Sequence, residues 1–463
     1  MSAWPDHIFR AYDIRGIAFE DLTEDMAFSL GAALGTQTAK ASGTRLVVGR
    51  DCRSSGAALS GALIRGIAST GIHVTDIGIV PTPVVYWAIK NLKAYGGIAV
   101  TGSHNPPQYN GFKLTMGGQS LCDDEIQTLK VEMSQSDFSR GSGEVEIKDV
   151  IEDYVQDVLA RVRQPKDRRF KVVVDAGHGV GGITALPVLK AMNCDVVELF
   201  CEPDQTFPAH HPDPTVEENL VDVQREVVKS GADLGVAFDG DADRIGVVTA
   251  TGKILWGDQL MVILSRALLK EEPGATIIGE VKCSKILYDD IAEHGGNPIM
   301  WRAGHSLIKT KMVETNAALA GEMSGHIFYK QRYYGFDDAT YTAARLIELL
   351  AEASQTLDEM ADGFPKTFST PELRMDCPEE LKFKLVGEVV SALEKRADSE
   401  GFKVVSIDGA RVEFDDGWGL VRCSNTSPIL VLRFEAQSED RLSEIQTWLE
   451  TEIKTHRLRL ESN

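Results

Sequence analysis

The sequence predicts an α/β protein: three similar mixed-sheet α/β domains and a C-terminal α+β domain around a central cleft. Three observations carry this. First, strand-like apolar runs recur at 46–51, 172–176 and 276–280. Each precedes a helix-like segment (56–69, 180–192, 284–293) and then a second strand-like run (73–77, 195–199, 298–301). Such β-α-β rhythms imply mainly parallel strands under helical cover, and a period above 100 residues suggests repeated domains. Second, each copy adds an apolar run ending in a polar loop: 97–100 leads to Ser103-His104, 234–238 to Asp239, and 317–320 to Gly321. One position of the repeat thus carries three chemistries, which predicts that the three loops meet. Third, the rhythm stops near Pro365 and Pro371. Beyond it, 429–434 reads as a strand and 440–456 as an amphipathic helix. The expected domains are 1–147, 150–251, 252–366 and 370–463.

At 463 residues the chain is too long for one core. Its 43% hydrophobic and 25% charged residues are those of a soluble globular protein. With 48 basic and 69 acidic residues the net charge is −21, which argues against nucleic acid and anionic membranes as partners. A phosphorylated small molecule would need a local cationic pocket. No run reaches membrane-spanning length, and the first ten residues lack a signal-peptide pattern. Seven scattered cysteines without a Cys-x-x-Cys pair point to a reduced cytoplasm.

The first loop follows the strand at 97–100. Asn105 precedes a proline and Pro106-Pro107 ends any ladder. Asn110-Gly111 predicts a turn. Ser103 and His104 would then stand at a strand's C-terminal end, where open α/β sheets place ligands, with Lys113 in reach. A hydroxyl beside an imidazole and an ammonium suits covalent catalysis, although such a pair in a proline-rich loop is more often a solvated turn.

In the second loop, Asp239, Asp241 and Asp243 alternate, and carboxylates this close repel unless a cation holds them. An EF-hand fails: from Asp239, position six is Arg244 and position twelve Ala250. An oxygen cage completed by phosphate suits Mg²⁺, and Arg244 would offset charge or touch substrate. An acidic hairpin is the plain alternative. The third loop brings Glu322, Ser324 and His326, groups that suit sugar hydroxyls, with Lys282, Gly304 and His305 at other strand ends. Arg422, Ser424, Asn425 and Thr426 lie between two strand-like runs and offer the spread of donors a phosphate needs.

A competing pattern is Gly177-His178-Gly179-Val180-Gly181-Gly182. It follows a strand, opens a helix, and has Glu198 about twenty residues on, as a dinucleotide site would. The corresponding stretches of the other two copies lack it, and an NAD-dependent oxidoreductase would leave the serine and aspartate loops idle.

Together, from Phe9-Arg10-Ala11-Tyr12-Asp13-Ile14-Arg15-Gly16 to the Arg422 loop, these motifs resemble the α-D-phosphohexomutase superfamily. The closest likeness is to its bacterial phosphomannomutase/phosphoglucomutase group, because Gly321-Glu322-Met323-Ser324-Gly325-His326 looks like the mannose/glucose form of the sugar loop. Cys423 and Ser427 depart from the usual pattern without removing a phosphate donor. The resemblance implies a phosphorylated Ser103, Mg²⁺ held by that phosphoserine and Asp239, Asp241 and Asp243, and a hexose 1,6-bisphosphate that serves as activator. It implies roles for Tyr12, Arg15, His104, Lys113, Arg244, Lys282 and His305 around the reacting phosphate and sugar. Glu322, Ser324 and His326 would read hydroxyls, while Arg422, Ser424, Asn425 and Thr426 hold the non-reacting phosphate. The implied partners are phosphorylated hexoses, acted on by a monomer. A metal-dependent sugar-phosphate phosphatase is the alternative.

Overall fold

The computed structural model describes residues 4–166, 168–424 and 428–461. Its first three sheets repeat one plan. In domain 1 the strands His73–Ile79, Arg45–Arg50 and Gly96–Val100 lie side by side and parallel, and Tyr109–Met116 returns antiparallel beside the last. Domain 2 repeats this order with Asp195–Leu199, Lys171–Asp175, Leu234–Phe238 and antiparallel Ile245–Thr249. Domain 3 does so with Asn297–Trp301, Thr276–Glu280, Leu319–Gly321 and antiparallel Ile327–Tyr329. The central strands are rich in Val and Ile and buried, as expected where helices cover a parallel sheet, while the edge strands Asp195–Leu199 and Asn297–Trp301 are only partly covered.

The expected first strands begin and end within a residue or two of the observed ones. The Asn110-Gly111 turn does not form. Both residues lie inside strand Tyr109–Met116, where Gly111 faces Arg15 of the edge strand Ile14–Ile17. A side chain on Gly111 would press on the Ile14 carbonyl at 2.6 Å, so this glycine serves close strand approach instead of a turn.

The first three domains share one apolar cluster running from Val47 and Trp87 through Tyr154 and Phe238 to Ile277 and Tyr341. Polar contacts reinforce it. The Tyr334 hydroxyl of domain 3 donates to Asp157 of domain 2 (2.8 Å) and accepts from Arg161 (2.8 Å) and from Asn91 of domain 1 (3.2 Å). Asp338 caps the helix Ala339–Glu352 through Tyr341 N and accepts from the Tyr154 hydroxyl at 2.8 Å.

Domain 4 has a separate core. Strands Gly417–Cys423 and Ile429–Ala436 pack on helices Glu379–Glu400 and Glu439–Glu461 through Leu385, Leu393, Phe434, Leu449 and Ile453. It meets domain 3 through a small apolar cluster of Val281, Trp418 and Leu420 and through several polar groups. The buried Arg411 guanidinium lies 3.8 Å from the Trp418 ring centre and donates to the Val281 and Cys283 carbonyls, each at 2.7 Å. Arg433 reaches Asp258 (3.0 Å), and the Ser284 hydroxyl donates to Glu435 (2.9 Å). All seven cysteines are free thiols. No helix among the described residues is long and apolar enough to cross a membrane.

Candidate active site

The three polar loops occupy the same place in their domains: each joins the third strand to the antiparallel fourth. They meet. Ser103 Oγ donates to Asp239 Oδ2 at 2.9 Å, and Ile245 N donates to the Gly325 carbonyl at 3.0 Å. Arg244 Nε donates to His326 Nε2, also at 3.0 Å.

Ser103 is buried and held at φ +49°, a left-handed conformation that a non-glycine residue adopts only when its surroundings impose it. The surroundings are Asp51 and Arg53, both buried. Asp51 Oδ2 accepts from Thr101 Oγ1 (2.7 Å), Gly102 N (3.0 Å) and Arg53 Nε (3.1 Å). The Arg53 guanidinium then donates to the carbonyls of Ser103, Asn105, Pro106 and Tyr109. Four loop carbonyls thus have a charged donor, and the loop is fixed without regular structure. His104 Nδ1 lies 3.0 Å from Ser103 Oγ. Because that hydroxyl already donates to Asp239, the ring completes the pair with Nδ1–H donating. Enclosure, together with Arg244, Arg15 and Lys113, lowers the His104 pKa well below the usual histidine range and keeps the ring neutral.

All three aspartates are buried. Asp239 Oδ1 accepts from the amides of Asp243 and Arg244 at 3.1 Å, which closes its own loop. Asp241 Oδ2 accepts from Thr82 Oγ1 (2.5 Å) and Lys113 Nζ (2.7 Å), and Lys113 also pairs with Asp243. Burial raises the Asp239 carboxyl well above the ordinary range, and its two aspartate neighbours raise it further. Burial alone would lower Lys113, but Asp241 and Asp243 outweigh it and hold the ammonium charged. One lysine facing three carboxylates leaves the cluster short of positive charge. Asp241 Oδ1 and Asp243 Oδ1 have no hydrogen-bond partner among the described residues, and ligand oxygens of all three lie within 4.8 Å of one another. The donor set is all oxygen and fits a hard divalent cation.

Around this centre, Arg15 pairs with Asp13 and reaches Asn105 Oδ1 at 3.4 Å. His326 Nδ1 faces Asp337 (3.0 Å) and Asp243 (3.5 Å). Since Arg244 donates to Nε2, the ring proton sits on Nδ1. His305 is buried and held neutral by that burial and by Lys309; its Nε2 lacks a partner among the described residues. Tyr12 packs edge-on against His305, with ring centres 5.2 Å apart. Gly304 N donates to Glu322 Oε1 at 2.7 Å, so Glu322 ties two loops together, while Ser324 is half-buried in the same turn.

The far end holds Lys282 and Arg422. Lys282 Nζ meets Glu372 (3.1 Å) and Glu280 (3.7 Å), and Arg422 Nε meets Asp408 (2.9 Å). Ser424 is buried beside them, and its carbonyl accepts from Lys382 at 2.7 Å. Asn425 and Thr426 lie outside the described residues. Sequence reasoning missed Asp51, Arg53, Thr82, Glu280, Asp337, Glu372 and Asp408. Only Asp51 and Arg53 left a visible sign, a charged stretch where domain 2 has glycines.

The glycine stretch 177–182 serves close packing. A side chain on Gly179 would lie 2.7 Å from the Gly240 carbonyl, and one on Gly240 would strike the Ser103 carbonyl.

Three like α/β domains and a distinct fourth, with a serine hydroxyl, a tri-aspartate loop and a buried lysine at the junction of the first two, define an α-D-phosphohexomutase. Within that superfamily, the chain belongs to the phosphoglucomutase/phosphomannomutase family. Its α/β/α domains I, II and III match residues 6–140, 152–252 and 256–368, and its C-terminal domain matches 372–450. The phosphomannomutase/phosphoglucomutase of Pseudomonas putida is 45% identical over 452 residues, covering 98% of this chain and 96% of that protein. The phosphoglucomutase of Neisseria meningitidis is 43% identical, covering 97% of each. A Burkholderia thailandensis crystal structure of a phosphoglucomutase/phosphomannomutase family protein superimposes with TM-score 0.91 at 44% identity, covering 98% of each chain.

Proposed function

We propose that this chain interconverts hexose 1-phosphates and hexose 6-phosphates, of mannose, glucose or both, by way of a phosphorylated Ser103 and a 1,6-bisphosphate. The observation that carries it is the 2.9 Å bond from the Ser103 hydroxyl to the tri-aspartate loop, with neutral His104 on its other side. A serine placed so can carry a phosphoryl group whose charge is met by Lys113, Arg15 and Arg244. The cation implied is Mg²⁺, held by Asp239, Asp241, Asp243 and the phosphoserine, where it would neutralise charge on the transferring group.

In the forward step the free sugar hydroxyl forms a bond to phosphorus while the bond from phosphorus to Ser103 Oγ breaks. The hydroxyl proton must leave, and His305 Nε2, neutral and without a partner among the described residues, would accept it. The serine oxygen must regain a proton, and the one taken from the sugar hydroxyl balances it; neutral His104 would steady that oxygen through its Nδ1–H hydrogen bond without giving the proton up. Lys113 is a fixed cation, because its two aspartate partners keep it protonated. Catalysis is then chiefly positioning and charge stabilisation. Glu322, Ser324 and His326 would set the sugar, with Tyr12 and Gly304 beside them. Lys282 and Arg422, joined by Ser424, Asn425 and Thr426, would seat the phosphate that does not react. The bisphosphate then turns end for end and returns its other phosphate to Ser103. Added hexose 1,6-bisphosphate would act as activator by recharging an unphosphorylated serine.

One chain supplies every group named, so a monomer suffices; a cytoplasmic monomer is the proposed working form, and light scattering would test its mass. Ser103→Ala tests the central step. Mutase activity should fall by at least about a thousandfold, with loss of the covalent phosphate by intact mass. Full activity without phosphoprotein would exclude the shuttle, and inorganic phosphate released at the turnover rate would favour a phosphatase.

A further inference from the structure

Both cations of the far seat are already engaged by carboxylates from domain 4. Glu372, ahead of strand Leu373–Asp376, sits on Lys282 at 3.1 Å, and Asp408 sits on Arg422 at 2.9 Å while also accepting from Ala303 N at 3.0 Å. The two domain-4 groups differ in freedom. Asp408 is tied to the backbone of the loop before His305. Glu372 is a quarter exposed and meets Lys282 and Arg374 alone among the described residues. Glu280, the third carboxylate, has its oxygens on the amides of Lys282 (2.8 Å) and Met323 (3.3 Å), so it organises two loops. The charge and hydrogen bond of Lys282, with help from Arg374, outweigh burial and lower the Glu372 carboxyl to about 2, so it is an anion at working pH.

We propose that Glu372 is an internal competitor for the substrate phosphate, displaced from Lys282 when a phosphate arrives and returning when it leaves. The proposal rests on reading Lys282 and Arg422 as a phosphate seat. Its chemical sense lies in the bisphosphate: an intermediate that must release one phosphate and re-seat the other is trapped by a seat that grips too well. A resident anion lowers the grip without removing the donors, and refills the site as the sugar turns.

The test is Glu372→Gln in the full chain, with methyl phosphate as the probe, titrated by calorimetry at pH 8. Removing the competing charge should tighten methyl phosphate about tenfold. In turnover of hexose phosphate, KM should fall and kcat should fall with it as release of the bisphosphate slows, which loss of fold would not produce. Asp408→Asn should shift methyl phosphate in the same direction by less, because its amide oxygen keeps Ala303 N. Unchanged or weaker methyl phosphate binding in Glu372→Gln would overturn the proposal. If the wild-type chain turned over no hexose phosphate but the calorimetric shift appeared, the mutase reading would fail and the competitor would stand.

Discussion

Around Ser103 every group stands on domains that share one apolar core, whereas Arg422 stands on a sheet with a core of its own. The first region is dry and interlocked: Arg53 spans four loop carbonyls, Thr82 and Lys113 of domain 1 grip Asp241 of domain 2, and Arg244 grips His326 of domain 3. The second meets domain 3 through a small apolar cluster of Val281, Trp418 and Leu420 and through hydrogen bonds from Arg411, Arg433 and Ser284, which exchange with water at small net cost when the bodies part. Phosphoryl transfer requires placement to fractions of an ångström, and apolar burial supplies that. A seat that must admit two orientations and let go of each is better mounted on a body that can part from the rest.

Substitutions at the two ends should therefore fail differently. The largest effect is expected from Lys113→Met. Three buried carboxylates would lose their fixed cation, and kcat should fall by about a thousandfold. Melting temperature should fall in chelator and recover with Mg²⁺, while the rate should not recover. A variant whose rate returned with the metal would show that Lys113 is only a counter-ion. Arg422→Ala should instead act on binding. KM for both the 1-phosphate and the 6-phosphate should rise about ten- to a hundredfold, with a smaller change in kcat. An effect on one substrate alone would break the idea of a shared seat.

The smallest effect separates the ends by pH. Burial pushes the Asp338 carboxyl, in the shared core, up to about 6. The native state then holds a proton that the unfolded chain has lost between about pH 4 and 6. Its contribution is full below the unfolded value and disappears as pH rises through 6, a change of about 3 kcal/mol. The difference in unfolding free energy between wild type and Asp338→Asn, followed by urea titration, should show that fall. Glu372 has the opposite sign. Its lowered pKa contributes stability above the unfolded value, lost as pH falls toward 2. Acid should thus loosen the seat while favouring the junction behind the serine, and parallel pH profiles for Asp338→Asn and Glu372→Gln would contradict the contrast.

What was legible in the chain follows the same division. The recurrence at 46, 172 and 276 foretold three sheets and the meeting of their loops, because strand period and burial are local properties. Ser103 and the aspartates were legible because they sit on unusual turns, and Lys113 because it follows one closely, on the returning strand. Asn110-Gly111 misled, since a turn signature and a close-packing strand glycine look alike until the neighbouring strand is known. Thr82, Asp337 and Asp408 were invisible for a related reason. Each acts on a partner distant in sequence, Thr82 on Asp241 and Asp408 on Arg422, and an isolated threonine or aspartate carries no mark of what it will face.

The glycine row behind the aspartate loop has a mechanical consequence. Three main chains, at Gly179, Gly240 and Ser103, are laid one on another with no side chain between them. A single methyl slipped into that pile would act as a shim, lifting the nucleophile off its seat by its own thickness. The alignment of the hydroxyl is gauged from domain 2, two main chains behind it.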